Sequence, residues 1–126
     1  MLEIREPTTF RIVAGDTSPK PTLVVRGIEA DPSGATAKFS LLDLSDAAAI
    51  DEQAATVSGV ASYTDRGATR WQLTVTYSWS AVETAALSGS YYGRFAVTLP
   101  ASAGIISAPA DRRFSVFVFA PVGDAL

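Results

Sequence analysis

Cysteine and histidine are both missing from this sequence of 126 residues. Without cysteine, the chain can form neither a disulfide framework nor a thiolate metal site. Without histidine, it lacks the commonest general base and the commonest transition-metal ligand, which excludes serine–histidine and cysteine–histidine catalysis. We therefore expect a protein that is not an enzyme, with no catalytic residues, no cofactor and no metal.

Positive charge is also scarce. The sequence has 10 lysine and arginine residues against 13 aspartate and glutamate residues, which gives a net charge of −3. The basic residues are isolated except at Arg112 and Arg113, and this is a poor electrostatic footprint for binding nucleic acid. With 48% hydrophobic and only 18% charged residues, the chain is apolar for a small free monomer, and buried contact with other subunits would explain that.

Long apolar runs are absent as well. No stretch approaches the length of a membrane span, and Glu3, Arg5 and Glu6 stand where a signal peptide needs an uninterrupted apolar core. We expect a soluble protein without a signal peptide, made and folded in the cytoplasm, with no membrane partner.

Alternation of apolar and polar residues is the main pattern that the sequence does contain, and it predicts β-strands. The clearest example is "RWQLTVTYSWS", residues 70–80. Small polar residues occupy one face of this run, and that face is expected to point to solvent. The other face carries five large residues that we expect to be buried: Trp71, Leu73, Val75, Tyr77 and Trp79.

A second alternating run, residues 91–99, predicts another half-buried strand. Its outward positions include Tyr92 and Arg94, and Gly93 lies on the inward face. A glycine in this position is expected to admit a bulky neighbour from the opposite sheet, such as a tryptophan. The remaining inward positions are Tyr91, Phe95, Val97 and Leu99.

Weaker strand patterns cover residues 8–14, 21–28, 35–43, 55–63 and 113–120. The last of these, "RFSVFVFA", is apolar on both faces, which predicts a central strand or one covered on both sides. Residues 45–55 allow two interpretations: a short helix capped by Ser45 or Asp46, or a turn followed by a strand through Ile50.

The connection "SAVETAALSG" between the two alternating runs has a helix signal of its own. Ser80 is a suitable N-cap, Glu83 stands at the third helical position as in a capping box, and Gly89 is a suitable stop. We expect one helical turn that crosses from one sheet to the other.

About seven short strands with turn signals every ten or so residues predict a single immunoglobulin-like antiparallel β-sandwich with one or two short helical turns. We expect an N-terminal arm over residues 1–7, the sandwich over residues 8–120 and a C-terminal tail over residues 121–126.

These residues resemble the immunoglobulin-like domain at the N-terminus of phage baseplate upper proteins and of many small phage structural proteins. The resemblance covers residues 8–120. The residues that carry it are Gly15-Asp16-Thr17, Tyr77-Ser78-Trp79, Glu83-Thr84, Gly89, Tyr91, Phe95, Val97, Phe114, Val116 and Phe117.

The resemblance implies a virion protein that assembles with other virion proteins in many symmetric copies and has no enzymatic activity. Baseplate upper proteins continue into a long C-terminal region that carries receptor-binding proteins, whereas this sequence stops at "PVGDAL". Docking onto tail, baseplate, head–tail connector or capsid proteins is therefore the expected role.

Two other functions have some support in the sequence. The acidic residues Asp43, Asp46, Asp51 and Glu52 offer oxygen ligands for Ca²⁺ or a glycosidase carboxylate pair, but they lack the spacing of either site, so a solvated loop is favoured. The aromatic residues suggest a carbohydrate-binding or adhesion module, but most of them fall on inward faces, where aromatic residues fill cores.

The scarcity of lysine bears on how partners would bind. Free monomers usually protect the edges of their sheets with lysine, proline or bulges, and lysine occurs here only at Lys20 and Lys38. We expect contacts through edge strands and through loops at one end of the sandwich. The candidate partner-binding residues are Leu2, Ile4, Pro7, Asp16, Tyr92, Arg94, Phe117 and Phe119.

Overall fold

The computed structural model describes residues 3–4, 9–100, 104–108 and 114–119. Within these ranges the chain forms nine strands and one short helix, and seven of the strands have five residues or more. The elements are β1 (Glu3–Ile4), β2 (Thr9–Val13), β3 (Thr22–Ile28), β4 (Thr36–Leu42), β5 (Ala48–Asp65), β6 (Ala68–Thr76), α1 (Ala81–Ala85), β7 (Gly89–Thr98), β8 (Ile105–Ala108) and β9 (Phe114–Phe119).

The strands form two layers. Sheet A has the order β1-β3-β6-β5, sheet B has the order β5-β4-β7-β9-β2, and β8 pairs with β7 in sheet B. This is the strand arrangement of an immunoglobulin sandwich, so the predicted fold class is confirmed. Every ladder is antiparallel except the one between β2 and β9, which is parallel.

Strand β5 belongs to both sheets. Its first part pairs with β4 and its second part with β6, and the register shifts between Ser58 and Ala61. Gly59 has a φ of 61°, and a bulge of this kind bends a strand. Residues 45–55 thus form the predicted turn and strand, and the alternative of a short helix is wrong. Two contacts favour the strand over the helix. The side chain of Ile50 is buried in the core, and the Asp43 carboxylate accepts from the Ala47 N–H, which closes the turn before the strand.

Aromatic residues fill the centre of the core between the sheets. Phe39, Phe95 and Phe114 are fully buried, and the ring of Tyr77 stacks on Phe39 with centroids 4.6 Å apart. A Cβ atom on Gly93 would lie 2.4 Å from Cζ of Phe114. The prediction that Gly93 admits a bulky neighbour is therefore confirmed, but the neighbour is a phenylalanine on the adjacent strand β9 of the same sheet, whereas we expected a residue of the opposite sheet such as a tryptophan.

The predicted inward faces are largely confirmed. Leu73, Val75, Phe95 and Val97 are buried, as are Tyr77 and Trp79. Trp71, Tyr91 and Leu99 are half-buried and pack against this core. Strand β6 ends at Thr76 rather than continuing to Ser80. The hydroxyl of the next residue, Tyr77, donates to Glu83 Oε2 at 2.6 Å and so connects the end of β6 to α1.

Helix α1 crosses from sheet A to sheet B as predicted. Its capping box is complete, because the Ser80 hydroxyl accepts from the Glu83 N–H and the Glu83 carboxylate accepts from the Ser80 N–H. The helix ends at the C-cap Ala86, earlier than the predicted stop at Gly89. Gly89 instead begins β7 with a φ of 82°, a conformation that glycine adopts readily.

Strand β9 shows a difference from the sequence prediction that matters for function. It lies between β7 and β2, so the prediction of a central strand is confirmed. Only its inner face is covered: Phe114, Val116 and Val118 are buried, whereas Phe117 and Phe119 are exposed. The prediction that both faces are covered is wrong because the second layer of the sandwich packs on one side of sheet B alone.

The predicted N-terminal arm contains a strand of the sandwich. Glu3 pairs with Arg26 and Ile4 with Val25, which places β1 at the edge of sheet A. The backbone of Glu3 and Ile4 thus pairs within the chain. Arg112, Arg113 and the tail over residues 121–126 lie outside the described residues.

Candidate functional site

The outward side of sheet B carries the candidate site, and the strand register brings its residues together. Phe117 on β9 lies between Arg11 on β2 and Ser90 on β7. Two residues further along the same strands, Ser115 lies beside Tyr92. Two residues beyond Tyr92, Arg94 pairs with Ser40 on β4. We call this surface the aromatic face and define it by Arg11, Ser90, Tyr92, Arg94, Ser115, Phe117 and Phe119.

Two phenylalanine side chains dominate the aromatic face. Phe117 is 38% exposed and Phe119 is 43% exposed, which is unusual for residues in a central strand. Their rings touch, with centroids 4.6 Å apart and planes at 55°. A shallow groove of about 570 Å³ runs beside them between Arg11, Tyr92 and the exposed Leu44. Exposed aromatic and aliphatic groups around a groove are typical of a surface that binds a partner.

Three basic side chains lie on the outward side of sheet B. Arg11, Arg94 and Lys38 are exposed and stand at outward positions of this sheet. Glu52 lines a small depression beside Lys38 and Arg94 and adds a negative charge at this edge. Arg11, at the β2 end of the groove beside Phe117, favours a partner that presents a carboxylate there.

The outward side of sheet A is different in kind. Thr22 donates to the hydroxyl of Thr76, and Arg26 Nε donates to Gln72 Oε1 at 3.0 Å. The Arg26 guanidinium also lies 4.1 Å from the centroid of the Tyr63 ring. These polar groups bond to one another across the strands. Sheet A therefore presents a polar outward side, and the exposed phenylalanines belong to sheet B.

Four of the eight residues predicted to bind partners lie on the aromatic face, namely Tyr92, Arg94, Phe117 and Phe119. Asp16 lies elsewhere, in the turn after β2, where its N–H donates to Val13 and its carbonyl accepts from the hydroxyl of Thr84. These bonds are made by the backbone of Asp16. Ile4 belongs to β1, and its side chain, like Leu2 and Pro7, lies outside the described residues.

Sequence reasoning missed Arg11, Ser90 and Leu44. Arg11 stands between Phe10 and Ile12, which are buried, so its outward direction could be read from the alternation. Its position beside Phe117 could not, because it depends on the parallel ladder between β2 and β9.

Thr84 was also missed as a structural residue. It is fully buried, and its hydroxyl accepts from the Gly15 N–H at 3.0 Å and donates to the Asp16 carbonyl at 2.7 Å. The threonine thus ties α1 to the loop after β2. Two backbone partners at hydrogen-bond distance account for this hydroxyl as a structural group.

The acidic segment over residues 43–52 forms a well-defined turn. Asp43 Oδ1 accepts from the Ser45 N–H at 2.8 Å, the Ser45 hydroxyl at 2.7 Å and the Ala47 N–H at 3.0 Å. These hydrogen bonds, led by that of the Ser45 hydroxyl, lower the pKa of the Asp43 carboxyl from its usual value. Among the described residues, no group of three or more acidic side chains is placed to hold a metal ion.

No helix among the described residues is long and apolar enough to span a bilayer.

Comparison with known proteins gives little beyond the fold. No family model matches this chain, and no curated protein matches its sequence. Among solved structures, the chain is similar to AggA, the major subunit of aggregative adherence fimbriae type I from Escherichia coli. The two are 10% identical, with a TM-score of 0.41, and the alignment covers 96% of this chain and 93% of that chain. A similarity at this level carries no argument about function.

Proposed function

We propose that this chain is a non-catalytic assembly module of a phage virion, which docks onto other virion proteins through the aromatic face. The virion context comes from the residues that resemble phage immunoglobulin-like domains. The observation that supports docking is the exposure of Phe117 and Phe119 on a central strand, where nothing else in the described chain covers them. Full burial of a side chain contributes about 1.5–3 kcal/mol of apolar transfer energy, and 38% of Phe117 and 43% of Phe119 remain to be buried, so a partner that covers both rings would gain about 1–2.5 kcal/mol in total.

The composition of the aromatic face suits a protein partner. Interfaces are enriched in aromatic residues and arginine and depleted in lysine and acidic residues at their centres. Phe117, Phe119 and Tyr92 supply the first class, and Arg11 and Arg94 supply the second. The neighbouring strand partners, Ser90 and Ser115, are small, so a partner side chain can approach the rings.

A carbohydrate-binding module is the second candidate, because three aromatic residues do lie on one exposed side of the sandwich. A sugar ring stacks on flat aromatic surfaces, whereas the rings of Phe117 and Phe119 are tilted by 55° and in contact with each other. Phenylalanine also lacks the polar group with which tyrosine and tryptophan bond at wet surfaces. These two features favour the protein partner.

The experiment compares particle incorporation of two variants. The first carries Phe117→Ser and Phe119→Ser, which remove both exposed rings. The matched control carries Ile105→Ser, because Ile105 is an apolar residue that is 70% exposed and pairs with Thr98, at the opposite end of β7 from Ser90. Each form is expressed with the phage of the source strain, particles are purified, and the chain is quantified by mass spectrometry.

We expect wild-type and Ile105→Ser chains in the particles at equal copy number and the double variant to be lost from them. Circular dichroism and thermal unfolding check that the double variant is folded. Normal incorporation of a folded double variant would refute docking through the aromatic face. Absence of the wild-type chain from every particle, together with binding to a defined saccharide on a glycan array, would establish the second candidate instead.

A further inference from the structure

We propose that the aromatic face is an interface between two copies of this chain, in which the turn over residues 43–47 of each copy enters the groove of the other. The proposal rests on the proposed function, because it takes the aromatic face as a docking surface for protein and names one occupant.

The inserted residue is Leu44. It is 66% exposed, and it stands between Asp43 and the turn residues Ser45 and Asp46. Leu44 also lines the groove of its own chain, so it projects toward the same side of sheet B as Phe117. An apolar side chain presented on a tight turn beside an apolar groove is a suitable anchor for a partner's groove of the same shape.

The turn that carries Leu44 is held in one conformation. The Asp43 carboxylate accepts three hydrogen bonds from Ser45 and Ala47, and the Asp43 N–H donates to the Ala47 carbonyl at 2.9 Å. A loop that is already ordered loses little conformational entropy when it binds. Insertion of Leu44 therefore costs less than insertion of a mobile loop would.

The charges of the two surfaces are complementary. The turn carries Asp43 and Asp46, whereas the groove into which it would insert is bordered by Arg11, with Arg94 on the same face. Charge complementarity of this kind fixes the orientation of a complex and excludes wrong pairings. A second copy presents the acidic, apolar turn that a positive, apolar groove requires.

The arrangement of these residues is compatible with two-fold symmetry. Across sheet B, Arg11 lies on the edge strand β2, Phe117 and Ser90 follow on β9 and β7, and Leu44 lies beyond them, after the end of β4. A two-fold axis perpendicular to the middle of this row places Arg11 of each copy against the acidic turn of the other. Every contact then occurs twice, as in an isologous dimer.

The interface is small. Four strands at a spacing of about 4.8 Å, over about six residues each, give roughly 400 Å² of sheet per copy. This is the size of weak, transient interfaces, so we expect a dissociation constant in the micromolar range or weaker. The association would become effective where many copies are held close together, as in a particle.

The test is sedimentation equilibrium of the full chain from about 10 µM to about 1 mM, a range that covers a weak dimer. Leu44→Ser and Arg11→Glu should each raise the dissociation constant about tenfold or more, because each loses two symmetric contacts. Ile105→Ser, the matched control, should leave it unchanged. The double variant Arg11→Glu with Asp46→Lys should recover the wild-type value within about threefold, since the two charges exchange sides.

Asp46 has a φ of 68°, a conformation that disfavours lysine, so the melting temperature of each variant is measured alongside. Asp46→Asn keeps a side chain that tolerates this conformation and should weaken the dimer about threefold by removing the charge alone. If Asp46→Lys proves unstable, the dissociation constant of Asp46→Asn measures what the charge of Asp46 contributes to the dimer.

A wild-type chain that stays monomeric at every concentration would overturn the proposal, as would a dimer that survives both Leu44→Ser and Arg11→Glu. A monomer whose incorporation into particles still depends on Phe117 and Phe119 would refute self-association and leave docking intact. A monomer that binds a labelled oligo-dT through the same residues would instead identify the partner as single-stranded nucleic acid. A dimer absent from particles would refute the virion role and leave the interface intact.

Discussion

Replacement of Gly93 by alanine tests the packing of the core at its tightest point. The new Cβ atom would lie 2.4 Å from Cζ, 2.6 Å from Cε2 and 3.1 Å from Cε1 of Phe114. Ordinary contact begins near 3.4 Å, so the ring must move by roughly 1 Å to remove the overlap. Phe114 is fully buried and packs against Phe10 and Phe95, with centroids 5.4 Å and 5.9 Å away, so such a movement disturbs both neighbours.

The expected magnitude follows from two opposing effects. Overpacking of a well-filled core costs about 3 kcal/mol, near the upper end of its usual range because the ring has no open side. Alanine gains about 0.5–1 kcal/mol over glycine through the smaller entropy of its unfolded chain. The net loss is about 2 kcal/mol in the free energy of unfolding, which corresponds to a melting temperature lower by about 6–10 °C in a domain of this size.

Chemical denaturation and thermal unfolding of Gly93→Ala measure this loss, with Ser90→Ala on the exposed side of the same strand as the control. Phe114→Leu removes the atoms that overlap and should cost about 1 kcal/mol by itself. The double variant should lose less stability than the sum of the two single losses. The difference between that sum and the measured loss should be about 1–3 kcal/mol. Full additivity, or a Gly93→Ala variant as stable as wild type, would refute the packing argument.

The other predictions concern stability at three further sites. Thr84→Val, which leaves two backbone partners of the hydroxyl unbonded, should lower the free energy of unfolding by about 1–3 kcal/mol, whereas Thr84→Ser should lose less than half of that. Burial, with the hydrogen bond to Glu83 and its charge, raises the pKa of the Tyr77 hydroxyl. The folded chain therefore favours the neutral form, and stability should be full below about pH 10 and fall as pH rises above it, a fall that Tyr77→Phe should reduce in pH-dependent denaturation. Trp79→Ala should cost about 3–5 kcal/mol, and Trp79→Phe distinctly less, because among the described residues the buried Trp79 Nε1 has no hydrogen-bond partner; equal losses in denaturant titrations would count against this.

Local patterns explain what could be predicted from the sequence. The buried face of Leu73 and Val75 follows from alternation within one strand, and the capping box of Ser80 and Glu83 lies within four residues. Each of these depends on neighbours along the chain. The single helical turn and the inward faces of the two best-defined strands were accordingly confirmed.

What could not be predicted depends on distant partners. The pairing of Thr9 with Ser115 has no local signal, and without it neither the aromatic face nor the position of Arg11 can be derived. The residue opposite Gly93 also comes from another strand, so the glycine indicated a bulky neighbour without identifying it as Phe114. The exposure of Phe117 could not be predicted from the sequence, because an apolar residue in a central strand is usually covered on its side of the sheet.

The parallel ladder between β2 and β9 also sets the order in which the molecule is completed during synthesis. Thr9 pairs with Ser115 and Val13 with Phe119, so β2 leaves the ribosome long before the strand that it will pair with. Contacts between residues so far apart in sequence form slowly because a long loop must close first. On a polysome, a neighbouring nascent chain at the same stage also exposes an unpaired β2. If the two chains exchanged their β9 strands, the backbone of β2 would be paired in both of them.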